Sequence, residues 1–106
     1  MKKIVVLISG SGSNLEAIIE SCAAKKINGR VIQVISNNPN AYGLTRASEF
    51  NIPSTIIDHK KFSSRIDFEN SLVECLDALS PDLIVLAGFM RILGSKITSK
   101  FSYKMI

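Results

Sequence analysis

The chain reads as an open α/β fold in which a mostly parallel sheet carries helices on both faces, and three observations lead there. Four short apolar or β-branched runs alternate with helical patterns along the 106 residues. Two of those runs, residues 4–8 (IVVLI) and 83–87 (LIVLA), are unbroken, as strands covered on both faces require. The first run ends in Gly10-x-Gly12, a glycine turn that opens directly into a helical pattern. Strands of 4–7 residues separated by helices cannot form hairpins, so the economical arrangement is a Rossmann-like parallel sheet.

Each element has its own local reason. A strand over residues 3–9 leads into a helix beginning at Ser13, where Ser13 and Glu16 stand at capping-box spacing. Leu15, Ile18, Ile19, Cys22 and Ala23 then recur on one helical face. Residues 30–36 (RVIQVIS) are β-branched enough for a second strand. A loop with Pro39 precedes a short helix over residues 42–50, which Pro53 prevents from continuing. Residues 54–57 make a third strand, and a polar stretch, residues 58–61, leads to a long helix over residues 63–79. Ile66, Leu72, Val73, Leu76 and Leu79 should face inward from it. Ser80 and Pro81 stop that helix. Residues 83–87 form a fourth strand buried on both faces, residues 88–93 a loop, and residues 95–101 one or two helical turns.

At 106 residues and 46% hydrophobic, the chain is long enough for one domain, residues 1–106, with its own core. The net charge of +4 comes from lysines spread along the chain, which indicates a solvated basic surface and no nucleic-acid stripe. Cys22 and Cys75 lie far apart on apolar helix faces, the pattern of buried reduced thiols and not of a disulfide framework or metal site. No apolar run approaches the roughly 20 residues that span a bilayer, and residues 1–9 lack a signal-peptide pattern. These features point to a cytoplasmic protein without a metal.

If the first three strands run outward and the fourth returns beside the first, the strand order is 3-2-1-4. Ligands of open α/β sheets bind beyond the carboxyl ends of the strands where the order reverses. The loops meeting there are residues 10–14 and 88–93, and both contain glycine. No Lys follows the glycines, which removes a P-loop. Leu15 stands where a dinucleotide fingerprint has its third glycine, and Ser36, Asn37 and Asn38 stand where an acidic residue would hold ribose. What remains is a phosphate site built on the N–H groups around residues 11–14, with Ser11, Ser13 and Asn14 as further donors. For Ser13 the alternative role is the helix cap itself. His59, the one histidine, reads as an exposed loop residue.

The segments S-G-S-G-S-N-L-E-A (residues 9–17) and L-A-G-F-M-R-I-L (residues 86–93) resemble two signatures of the phosphoribosylglycinamide formyltransferase family. S-N-N (residues 36–38), A-Y-G-L-x-R-A (residues 41–47) and F-S-S-R (residues 62–65) are similar to it too. The resemblance implies transfer of a formyl group from 10-formyltetrahydrofolate to glycinamide ribonucleotide in purine biosynthesis. It implies that Gly12, Ser13 and Asn14 hold the phosphate and ribose of glycinamide ribonucleotide. Arg65 would lie near the folate, with a solvated first-turn position as its alternative. Met90, Arg91, Ile92 and Leu93 would line the folate pocket, Met90 having core filling as its alternative.

In the family, the strand corresponding to Lys104, Met105 and Ile106 runs on into an Asn-x-His motif, with an Asp later, and these carry the catalysis. Residues 1–106 contain no such motif, and His59 does not match it. The expectation is an N-terminal half of a formyltransferase fold, cut short, which binds substrate phosphate but carries no catalytic residue. Its apolar end would be left unpaired and would invite self-association or pairing with a missing C-terminal half. The alternatives are a non-catalytic nucleotide-phosphate-binding module that needs a partner chain, or a damaged product without a role.

Overall fold

The computed structural model describes residues 1–90, 93–101 and 104–106. Strands β1 (Lys2–Ile8), β2 (Gly29–Ser36), β3 (Ser54–Ile56) and β4 (Leu83–Leu86) form a sheet in the order β3-β2-β1-β4, every neighbouring pair parallel. Helices α1 (Ser13–Ala23), α2 (Tyr42–Glu49), α3 (Arg65–Leu79) and α4 (Ser95–Lys100) connect or follow them. The order and the parallel pairing agree with the sequence reading.

β1 is central because it can be. Residues 4–8 are all buried, and alternate side chains leave the strand on opposite faces. Ile4, Val6 and Ile8 join Leu15, Val34, Ala41 and Ala47 in the core under α1 and α2. Val5 and Leu7 join Phe68, Leu72, Leu76, Ile84 and Ile97 in the core under α3 and α4. Burying such a side chain stabilises the fold by roughly 1.5–3 kcal/mol, so β1 ties both cores into one unit. Between Ile4 and Val5 the β1–β2 register slips by one residue on the β2 side.

Several local expectations need correction. The capping box at Ser13 and Glu16 does not form. The N-cap of α1 is Gly12, in the left-handed region at φ 74°, with no side chain bonded to the helix end. Glu16 turns instead to Arg46, at 2.5 Å. The long helix begins at Arg65, two residues later than expected, because Ser64 caps it by accepting from the Asp67 N–H at 3.1 Å. Its buried stripe runs through Phe68, Leu72, Val73 and Leu76, and Ile66 is 68% exposed. At 3.6 residues per turn, Ile66 lies roughly 110° round the helix from the centre of that stripe.

β4 is not buried on both faces, since Leu86 is exposed. Nor are the last residues left unpaired. Ile84 N–H donates to Lys104 O, Leu86 N–H to Ile106 O, and Ile106 N–H to Ile84 O, so residues 104–106 run parallel beside β4. Cys22 and Cys75 are free thiols as expected, but partly buried instead of fully so. Burial pushes both thiols up, and for Cys75 a hydrogen bond with Thr55 opposes that rise.

Candidate functional site

At the carboxyl ends of β1, β2 and β4 lies a two-lobed cleft. The smaller lobe, about 180 Å³, is lined by residues 9–14 on one side and Ala87, Gly88 and Met90 on the other. The loops after β1 and β4 therefore meet where the strand order reverses. The larger lobe, about 410 Å³, is bounded by Asn37, Asn38 and Asn40 after β2 and by Asp58, His59 and Lys60 after β3. Ser9 and Met90 belong to both lobes and stand at their junction.

The glycine turn takes its shape from its neighbour α2. Gly12 has φ 74°, and a Cβ there would fall 2.6 Å from Gly43 Cα. Gly43 N–H in turn donates to Gly10 O at 2.9 Å. Two glycine backbones are thus in direct contact, and a side chain on either would part them. Arg46 completes the support: its Nε donates to Ser11 O at 2.7 Å while its Nη1 meets Glu16. The guanidinium also lies 5.1 Å from the centre of the Tyr42 ring. This holds the Ser11 carbonyl on the side of Arg46.

The first intrahelical bond of α1 runs from Glu16 N–H to Gly12 O at 3.0 Å. The preceding N–H groups of a helix have no acceptor within it, and its dipole is positive there. Ser13 and Asn14 are exposed and line the lobe, and the Ser13 hydroxyl is not used as a cap. The residues named for the phosphate thus share one lobe. This arrangement can bind an oxyanion through backbone N–H groups and two side-chain donors.

The folate-side residues are spread more widely. Met90 is 80% exposed, which rules out core filling. Leu93 packs against the α3-side core. Arg65 opens α3, half-exposed, with its Nε 3.6 Å from Glu69, and it lines neither lobe. Arg91 and Ile92 lie outside the described residues. His59 is not the exposed loop residue expected: it is half-buried in a single 3₁₀ turn. Its Nδ1 lies 3.3 Å from Asn37 Nδ2, and its ring packs edge-on against Phe68. Asp58 shapes that turn by accepting from Lys60 N–H at 3.0 Å. Among the described residues no three His, Cys, Asp or Glu side chains gather closely enough to hold a metal ion.

The formyl transferase family pattern matches residues 2–106. The chain belongs to the formyl transferase family. It is 44% identical over 106 residues to a phosphoribosylglycinamide formyltransferase of Haemophilus influenzae, covering all of this chain and 50% of that one. The Escherichia coli protein of the same name is 44% identical over 97% of this chain and 49% of its own length. The Coxiella burnetii phosphoribosylglycinamide formyltransferase structure superposes with a TM-score of 0.91 at 49% identity, covering 98% of this chain and 49% of that one. A glycinamide ribonucleotide transformylase of Symbiobacterium toebii gives 0.93 at 41%, covering 99% and 50%. The chain spans about half the length of these relatives.

Sequence reasoning passed over Arg46 and Gly43 as site residues. The available cue was Gly43 in the first turn of a helix, where propensity disfavours it. It also passed over Glu69 and read His59 as exposed, because Gly94 and Asn37, which they contact, lie distant in sequence.

Proposed function

We propose that this chain is the substrate-phosphate half of a phosphoribosylglycinamide formyltransferase, with glycinamide ribonucleotide and 10-formyltetrahydrofolate as its small-molecule substrates. The observation that carries the reading is the smaller lobe, where Gly12, Ser13 and Asn14 face the loop that begins at Gly88. Backbone N–H groups at the start of α1 take the phosphate oxygens, and Ser13 and Asn14 add donors to phosphate and ribose. Met90, Arg91, Ile92 and Leu93 take the folate, and Arg65 meets its glutamate tail. The folate supplies the formyl group, and no metal takes part. The free thiols fit a reducing cytoplasm.

Formyl transfer to an amine needs an acid–base group and donors for the developing oxyanion. Residues 1–106 hold one histidine, His59, and it is engaged with Asn37 and Phe68. We therefore read residues 1–106 as a binding half that carries no catalysis by itself. Titration calorimetry with glycinamide ribonucleotide tests the reading. Binding should be measurable, and Asn14→Ala should weaken it about tenfold, as loss of one hydrogen bond to a charged group does, with the melting temperature unchanged. Absence of binding to the parent chain would refute the phosphate reading. Turnover by residues 1–106 alone would refute the catalytic part. Activity restored by adding a separately made C-terminal half would support the division of labour.

A further inference from the structure

Among the described residues four polar or charged side chains are buried, namely Ser9, Ser36, Asn37 and Glu69. Three of them hold the backbone at Met90 and at Gly94. At the first, Met90 N–H donates to Ser9 Oγ at 2.8 Å, and Ser9 Oγ donates onward to Asn37 Oδ1 at 2.5 Å. Asn37 also holds His59, whose Nδ1 lies 3.3 Å from both the Asn37 Nδ2 and the Asn37 backbone O. At the second, Gly94 N–H donates to the Glu69 carboxylate, which also faces Arg65 Nε at 3.6 Å. The Gly94 backbone is held by α3 directly, and the chain of contacts from Met90 through Ser9, Asn37 and His59 ends on Phe68, the neighbour of Glu69.

Gly94 supplies an independent observation. Its backbone, at φ −74° and ψ 168°, suits any residue, so conformation does not require glycine. The present position of the Glu69 carboxylate leaves no room for a side chain there. A Cβ at Gly94 would fall 2.8 and 2.9 Å from the two Glu69 oxygens. The chain thus keeps side-chain atoms away from a buried carboxylate so that this group can reach a backbone N–H. The carboxylate of a residue only 7% exposed is costly unless hydrogen-bonded, and here its partners are the Gly94 N–H and Arg65.

We infer that Glu69 and the Ser9–Asn37 pair are positioning residues that clamp the backbone at Gly94 and at Met90, and so set the folate side of the site. The effect on folate rests on the function proposed above; the clamp itself does not. Glu69 acts on ligand through Gly94 and Arg65, and Ser9 acts through the Met90 N–H.

Amide hydrogen exchange followed by NMR on the 106-residue chain, with the Glu69→Ala, Glu69→Gln, Gly94→Ala and Ser9→Ala variants, tests it. Losing the hydrogen bond to the Glu69 carboxylate should speed exchange about tenfold or more, and losing the neutral one to Ser9 up to about tenfold. Glu69→Ala and Gly94→Ala should accelerate exchange at residue 94 without affecting Met90, and Ser9→Ala should do the reverse. Glu69→Gln keeps an acceptor oxygen and should restore protection at Gly94. Binding of 5-formyltetrahydrofolate should weaken about tenfold in Glu69→Ala and recover in part in Glu69→Gln, while binding of ribose 5-phosphate stays unchanged. A merely structural role would lower both affinities together. Parental exchange rates in Glu69→Ala and Ser9→Ala, or rapid exchange of both amides in the parent, would overturn the clamp. Protected amides in a parent that binds no folate would leave the clamp standing and overturn the folate reading.

Discussion

At the scale of single residues, the site depends on glycines for unequal reasons. Gly12 has a left-handed backbone and a neighbour 2.6 Å from where a Cβ would stand, so Gly12→Ala is strained twice over. We expect it to lower the free energy of unfolding by about 1–3 kcal/mol, read by urea denaturation. Gly10 has no heavy atom within 4 Å of its would-be Cβ and no left-handed backbone. Gly10→Ala should leave stability within about 0.5 kcal/mol, the usual range for an unhindered surface change. A spaced pair of glycines in the sequence does not show which one the fold needs. That is decided by Gly43, which reaches Gly12 only once α2 has docked on the turn. Arg46 is hidden in the same way, since its bonds to Ser11 and Glu16 span 35 and 30 positions of the chain.

At the scale of elements, helix starts separate two serines that look alike in the sequence. Ser64 caps α3 through the Asp67 N–H, and Ser63 adds a bond to the Asp67 carboxylate at 3.1 Å. Ser13 stands inside α1, after a glycine cap, and bonds to no helix end. Ser64→Ala should therefore cost about 1 kcal/mol of stability, as loss of a cap does. Ser13→Ala should cost less than about 0.5 kcal/mol while weakening phosphate binding. Equal losses in thermal unfolding would contradict the assignment. Strand positions were readable because unbroken apolar runs such as residues 4–8 have few other uses. The capping box misled because S-x-x-E spacing does not reveal that Gly12 already turns the chain. Arg46, from another helix, then competes for Glu16.

At the scale of the whole molecule, β1 joins two cores of different make-up. The α3 side holds Phe68, Leu72 and Leu76 at full burial, while the α1 and α2 side closes on smaller residues such as Ala41 and Ala47. Leu72→Ala should cost about 2–5 kcal/mol, the range for a large-to-small change in a core. Ile66→Ala, on the same helix, should cost less than about 0.5 kcal/mol, and denaturant midpoints would show the difference. By itself the sequence determined the α/β alternation, and it led to the strand order and the meeting of the Gly10 and Gly88 loops on the condition that the fourth strand returns beside the first, which the structure meets. The alternation is legible because strand length and apolar continuity are local properties. Tertiary structure alone decided that Gly12 rests on Gly43 and that residues 104–106 pair with β4. It also decided that the buried Glu69 carboxylate reaches Gly94. Each of these depends on two surfaces brought within hydrogen-bonding or van der Waals distance, and those forces fade within a few ångströms, too short a range for sequence spacing to report.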